Sequence, residues 1–167
     1  ANGALTQVGA VSFGDYSTST PTFANGVLYV GGSRAHQGLL PAIDADSLNV
    51  LATVTAADGA PLPGEVKSTP LLLRDENGVV ALFTCNGAGG EWPNYTSGGG
   101  VYAYRLGNAE AQLVYDPPAG LHNYAMASVA YGGAGTFYYV NDSGTLFALD
   151  LSDQPLPPVS YTHLTLP

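Results

Sequence analysis

Two segments of the chain begin with the same three residues and continue with the same order of parts. Residues 19–32 read STPTFANGVLYVGG, and residues 68–83 read STPLLLRDENGVVALF. Each contains a Thr-Pro step, an apolar stretch, an Asn-Gly pair and a second apolar stretch. Asn-Gly between alternating apolar residues is the strongest short signal of a β-hairpin. A hairpin that recurs after 49 residues predicts a repeat architecture.

A third unit follows in the same order. The segment MASVAYGGAGTFYYV places Ser128-Val129 at the point of the Thr-Pro step, 59 residues after Thr69. A third strand, preceded by glycine, is predicted in every unit at 38–44, 100–104 and 144–150, and a fourth at 50–55 and 111–115. Four antiparallel strands in a unit of about 40 to 50 residues are typical of a propeller blade.

The composition agrees with many short strands joined by turns. The chain has 22 Gly and 12 Pro in 167 residues, and only 10% of its residues are charged. We therefore predict an all-β fold, an incomplete β-propeller fragment of about three four-stranded antiparallel blades. The predicted parts are the last strand of a preceding blade (1–13), blade A (14–55), blade B with a long 86–100 loop (64–115), a partial blade C (124–152) and a non-native or disordered tail (153–167).

The amino-acid sequence of these units resembles the PQQ-like propeller repeat. STPTFANGVLYVGG followed by AIDADSLNVLATV, and NDSGTLFALD in the third unit, follow the family order of a Thr-Pro strand, a Gly-Val-x-Tyr-Val strand and an Ala-x-Asp strand. The resemblance covers residues 10–152, but no Trp follows Asp44 as it often does in the family. It implies a non-enzymatic branch similar to propellers in surface proteins of Gram-positive bacteria, and so an extracellular or cell-surface location. The end of the chain, VSYTHLTLP at 159–167, resembles a translated sequencing adaptor.

Charge and hydropathy exclude two kinds of partner. Four Lys and Arg residues against 13 Asp and Glu residues give a formal charge of −9. That charge repels phosphate backbones, so a nucleic acid is not expected as a partner. No apolar run approaches the 18 or so residues of a membrane span, and none is expected in this segment.

Catalytic and metal-binding motifs are absent from the sequence. Quinoprotein dehydrogenases carry a vicinal cysteine pair, whereas Cys85 is the only cysteine here. The segment NDSG at 141–144 lacks the spaced carboxylates of a calcium loop and predicts a tight turn. His36 and His122 are single and predicted to be solvated loop residues. We therefore expect no cofactor, no metal and no catalytic residue.

The long segment NGAGGEWPNYTSGGG at 86–100 is the most suggestive feature for function. Long loops on rigid scaffolds are often functional. In a propeller this loop would share one face with the connections between blades, so we predict a ligand-binding rim with Trp92 as its stacking anchor. The predicted rim residues are Arg34, His36, Glu65, Trp92, Tyr95, His122 and Tyr124. In the competing interpretation, Trp92 folds back over its own blade and the loop has no binding role.

Three functions remain open at this point. The first is a non-catalytic binding or scaffold module that holds a protein, peptide or carbohydrate ligand on one propeller face. The second is a fragment of a PQQ-dependent dehydrogenase whose cofactor site lies in other blades. The third is a cell-envelope assembly factor that holds a partner protein.

Overall fold

The computed structural model describes residues 6–154 and 156. These residues form fifteen β-strands and one 3-10 turn, without an α-helix among them. The all-β prediction is therefore confirmed. In chain order the elements are β1 (Thr22–Ala24), β2 (Val27–Tyr29), β3 (Gly32–Arg34), β4 (Gln37–Leu39), β5 (Pro41–Asp44), β6 (Val50–Thr53), the 3-10 turn η1 (Ala57–Gly59), β7 (Leu71–Asp75), β8 (Gly78–Thr84), β9 (Gly87–Ala88), β10 (Ser97–Gly98), β11 (Val101–Arg105), β12 (Gln112–Tyr115), β13 (Ala130–Gly133), β14 (Thr136–Val140) and β15 (Leu146–Asp150).

The strands form three successive antiparallel meanders. Sheet one has the order β1-β2-β5-β6, sheet two has the order β7-β8-β11-β12, and sheet three has the order β13-β14-β15. Two small hairpins are inserted along the chain between the second and third strands of a sheet. The β3-β4 hairpin is inserted in this way in sheet one, and the β9-β10 hairpin in sheet two. Each sheet thus takes its strands from one of the three units found in the sequence.

The hairpin turn of unit A follows from residues that tolerate positive φ, whereas the turn of unit B has other central residues. Asn25 and Gly26 have φ of 51° and 78°, and they join Ala24 to its partner Val27. Positive φ at both central residues gives the turn type whose twist matches that of paired strands, which is why Asn-Gly is favoured there. In unit B the central residues are Glu76 and Asn77, because Gly78 already pairs with Asp75 as the first residue of β8.

Sheet two is packed on both of its faces. Val79, Ala81 and Phe83 of β8 belong to a core cluster that they share with sheet one. Val80 and Leu82, which alternate with them, belong to a second cluster shared with sheet three. Successive side chains of a strand point to opposite faces, so the unbroken apolar run of β8 supplies both cores.

Repeated hydrogen bonds connect equivalent positions of the three units. The backbone N–H of Thr20 donates to Thr69 Oγ1 at 3.0 Å, and the N–H of Thr69 donates to Ser128 Oγ at 3.0 Å. These are the three residues that the sequence aligned with one another. The register of the repeat is therefore visible as contacts between successive units.

A second repeated feature lies in the backbone four residues before Thr20, Thr69 and Ser128. The carbonyl groups of Tyr16, Glu65 and Tyr124 each accept a hydrogen bond from a backbone N–H at 2.9 Å. The donors are Ser33, Asn86 and Asp142, each beyond the second main strand of its unit. These bonds fix the position of the connecting segments that approach each sheet.

Two details of the prediction differ from the structure, and a third lies mostly outside the described residues. Residues 6–13 form no strand, and Val8 is fully exposed, so the strand predicted within 1–13 is wrong for this part. The strand predicted at 38–44 is divided at Leu40, because Pro41 has no N–H to continue a ladder and instead begins β5. The predicted tail at 153–167 lies mostly outside the described residues.

Ser68 tests how much one buried hydrogen bond in unit B contributes to stability. It is fully buried, and its Oγ accepts a hydrogen bond from the Thr84 N–H at 3.0 Å. Ser68→Ala leaves that N–H without an acceptor, so we expect the free energy of unfolding to fall by about 1–3 kcal/mol. Urea denaturation measures the change.

Ser19 is the matched control, because it occupies the same position in unit A. Its Oγ bonds only to the neighbouring Thr20 carbonyl, in an exposed setting. Ser19→Ala should change the stability by no more than about 0.5 kcal/mol. Equal changes in the free energy of unfolding for the two substitutions would contradict a stabilising role of the Ser68 hydrogen bond.

Candidate functional site

Four of the predicted rim residues meet at one cavity of about 300 Å³. His36 comes from the β3-β4 hairpin, Glu65 from the segment before β7, Tyr95 from the long 86–100 segment and Tyr124 from the segment before β13. The cavity is lined by His36, Pro63, Gly64, Glu65, Gly87, Ala88, Gly89, Gly90, Tyr95 and Tyr124. Four separate connections therefore contribute to one concave site.

A charge pair lies beside this cavity. Lys67 Nζ is 2.8 Å from Glu65 Oε2, and the two side chains are only 15% and 16% exposed. Burial acts to raise the pKa of Glu65, but the hydrogen bond and charge of Lys67, together with hydrogen bonds from His36 and Ser33, outweigh it and lower the pKa. Glu65 is consequently a carboxylate at neutral pH, with its charge balanced by Lys67.

Lys67 also lies between two aromatic rings. Its Nζ is 5.1 Å from the ring centre of Tyr16 and 5.2 Å from that of Tyr124, which are cation–π distances. Burial acts to lower the pKa of Lys67, but Glu65 and then the two tyrosines reverse this effect, and the pKa is raised. The ammonium group therefore stays charged and holds the three side chains around it.

Sequence reasoning missed Lys67 and Tyr16 as members of this cluster. Tyr16, Glu65 and Tyr124 each lie four residues before the Thr or Ser that marks their unit. That shared offset was present in the sequence and could have indicated that the three residues converge.

Two tyrosines form one wall of the cavity. The ring centres of Tyr95 and Tyr124 are 5.3 Å apart, with an angle of 46° between the planes. Tyr95 packs directly on Gly87, where an added Cβ would lie 2.6 Å from the ring. Burial, followed by the hydrogen bond and charge of Tyr124, raises the pKa of Tyr95 to about 12. Its hydroxyl therefore remains neutral at physiological pH.

The long 86–100 segment is held in place by polar contacts. Thr96 Oγ1 donates to the Gly89 carbonyl at 2.6 Å, and Ser97 Oγ donates to the Ala88 carbonyl at 3.3 Å. The Gly87 N–H donates to the Asn123 carbonyl at 2.8 Å, which joins the segment to the connection before sheet three. These hydrogen bonds therefore hold the cavity wall formed by residues 87–90 in a defined position.

His122 is buried and structural in this arrangement, so its prediction as a solvated residue is wrong. Only 8% of the residue is exposed, and Nδ1 lies 2.8 Å from the Gly98 carbonyl oxygen. His122 does not line the cavity. The contact places the 86–100 segment beside His122.

Arg34 and Trp92 are also outside the cavity lining. Arg34 Nη2 donates to the Phe13 carbonyl at 2.7 Å and so ties the chain before sheet one to β3. Trp92 is 62% exposed, which contradicts the interpretation that it folds back over its own blade. Its role as a stacking anchor stays a prediction.

Other polar residues show structural roles. Asn141 Oδ1 accepts hydrogen bonds from Ser143 Oγ at 2.7 Å and from the Thr145 N–H at 3.1 Å, as expected of a tight turn at 141–144. Cys85 is fully buried, and burial raises the pKa of its thiol. Among residues 6–154 and 156, no three His, Cys, Asp or Glu side chains are placed to hold a metal ion.

A second cavity, of about 430 Å³, adjoins β12 and contains none of the predicted rim residues. Its lining includes Tyr102, Glu110 and Leu113. The Glu110 carboxylate accepts a hydrogen bond from the Gly59 N–H at 2.9 Å, so it is already used to hold the segment after sheet one.

Comparison with protein families found no family that matches this chain, and comparison with curated proteins found no similar protein. Within the described part of the chain, the structure contains no helix with the length and apolar character that a membrane crossing requires.

The Glu65–Lys67 pair predicts a pH-dependent contribution to stability. Glu65→Gln should lower the free energy of unfolding at pH 7 by about 1–3 kcal/mol, because Lys67 then loses its charged acceptor. The pKa of Glu65 is lowered on folding, so its contribution is present above the ordinary value of 4.5 and is lost as the pH falls through the folded-state pKa. Urea denaturation of both proteins from pH 7 to pH 3 measures this trend.

Glu76→Gln is the charge-matched control, since Glu76 is exposed at the β7-β8 turn. It should change stability by no more than about 0.5 kcal/mol. A Glu65→Gln effect that stays constant down to pH 3 would contradict the assignment of the stabilisation to the ionised carboxylate.

Proposed function

We propose that the three sheets are consecutive blades of a PQQ-like β-propeller, with blade A at 14–55, blade B at 64–115 and a partial blade C at 124–152. Three observations support this proposal. The strands of each sheet follow one another as a meander, sheet two packs face to face against a sheet on either side, and equivalent residues of the units are hydrogen-bonded in series. Blades of a propeller are related in this way.

The proposed function is that of a non-catalytic binding module in a secreted or cell-surface bacterial protein. The observation that carries it is the convergence of His36, Glu65, Tyr95 and Tyr124 from four connections onto one cavity. Concave sites formed by loops on a rigid scaffold are the usual places where proteins bind ligands.

The chemistry of the cavity favours binding over catalysis. A general acid or base works best with a pKa near the operating pH. Glu65 has a lowered pKa and is already bonded to Lys67, and the pKa of Tyr95 is raised to about 12. The His36 side chain is 97% exposed and its Nδ1 contacts Glu65 Oε1 at 3.5 Å, near the upper limit of hydrogen-bond length, so this contact orients the imidazole only weakly.

A fragment screen tests the binding function without knowledge of the ligand. In saturation-transfer NMR with a library of small polar and aromatic fragments, we expect hits whose signal is lost in Tyr95→Ala. Tyr138→Ala is the control, because Tyr138 is a partly exposed tyrosine of β14 that does not line the cavity. The absence of hits, or hits that depend equally on both tyrosines, would remove the support for a binding site here.

Calorimetry distinguishes the binding module from a dehydrogenase fragment. We expect no saturable binding of PQQ in the presence of Ca²⁺ in the micromolar range, which would require about 8 kcal/mol. The reason is that Cys85 has no adjacent cysteine and that the 141–144 turn uses Asn141 for its own hydrogen bonds. Saturable binding of PQQ would overturn the non-catalytic assignment.

A further inference from the structure

We infer that the cavity binds one ring of an uncharged saccharide, seated against Tyr95 and Tyr124. This inference rests on the proposed function of the cavity as a binding site. The volume of about 300 Å³ is at the small end of ligand pockets. A cavity at this end of the range suits a single sugar ring better than an extended ligand.

The charges around the cavity favour a neutral ligand. The carboxylate of Glu65 is compensated by Lys67 at 2.8 Å, so the site has no excess charge to offer to an ion of either sign. An anionic ligand would have to compete with Glu65 for Lys67, and it would also meet the overall charge of −9. A cationic ligand would have to displace Lys67 from its place between two aromatic rings.

The polar groups of the cavity match hydroxyl groups, which both donate and accept hydrogen bonds. Glu65 Oε1 lies 3.5 Å from His36 Nδ1, and a carboxylate oxygen can accept a hydroxyl hydrogen in addition to such a contact. Tyr95 keeps its proton, so its hydroxyl can act as donor or acceptor. The space that a Cβ would take at Gly64, Gly87, Gly89 and Gly90 is already filled by neighbouring protein atoms, so these residues contribute only backbone to the wall.

The aromatic wall supplies the apolar part of the recognition. The C–H groups on one face of a sugar ring pack well on an aromatic face, and tyrosine combines such a face with a polar tip. The 46° tilt between Tyr95 and Tyr124 means that the two rings do not cover each other face to face. Gly87 allows Tyr95 to take this position, because any Cβ there would collide with the ring.

The test uses saturation-transfer NMR titrations with the full chain. The probes are four neutral oligosaccharides (maltotetraose, cellotetraose, mannotetraose and tetra-N-acetylchitotetraose) and three tripeptides (Gly-Phe-Gly, Gly-Lys-Gly and Gly-Glu-Gly). We expect at least one oligosaccharide to bind, with an affinity reduced at least about tenfold in Tyr95→Ala, the factor that corresponds to about 1.4 kcal/mol. Tyr95→Phe keeps the ring and should lose less affinity than Tyr95→Ala, and Tyr138→Ala should bind like the unmodified protein.

The outcomes separate this inference from the proposed function. If no oligosaccharide binds, or if binding is the same in Tyr95→Ala, the saccharide assignment is overturned. If a tripeptide binds in a Tyr95-dependent manner and no oligosaccharide does, the saccharide assignment falls but the binding function stands. If the fragment screen also finds no ligand at the cavity, the results contradict both the saccharide assignment and the proposed binding function. Circular dichroism of each variant confirms that it is folded before its binding is compared.

Discussion

Strand β8 is buried on both of its faces, and the arrangement of the three sheets depends on this double burial. The strand sends Phe83 and its alternate neighbours towards sheet one, and Leu82 with its alternate neighbours towards sheet three. Full burial of a side chain such as Phe or Leu contributes about 1.5–3 kcal/mol. A polar residue at any of these positions would weaken one of the two cores and loosen one sheet from the next.

The candidate site is a consequence of that stacking. Equivalent backbone positions of neighbouring units come together, and the residue four places before each Thr or Ser marker is held by a carbonyl hydrogen bond. Unit B lies between units A and C, so Lys67 of unit B reaches both Tyr16 and Tyr124, the equivalent residues of its two neighbours. Side chains that are far apart in the sequence thereby form one cluster beside one cavity.

Patterns confined to a few residues made most of the fold predictable. Asn25-Gly26 and the apolar alternation around it placed β1 and β2, because turn conformation and strand period are local properties. The β3-β4 hairpin was not predicted, since its sequence GGSRAHQG is polar and glycine-rich like a loop. The burial of His122 was also missed, because it depends on the distant Gly98 carbonyl. In the site, the sequence indicated which loops converge but not which of their side chains meet.

Three of the four basic residues of this acidic chain form contacts that connect separate segments. Arg34 bonds to the Phe13 carbonyl, Arg74 Nη1 donates to Asn25 Oδ1 at 2.9 Å between units B and A, and Lys67 is shared by Glu65 and two tyrosines. Four Lys and Arg residues cannot balance 13 Asp and Glu residues, so the chain keeps a formal charge of −9. At the cavity, however, the Glu65 carboxylate is paired with Lys67. If the cavity is the binding site proposed above, this pairing leaves shape and hydrogen bonding as the basis of ligand selection, because charge attraction contributes little there.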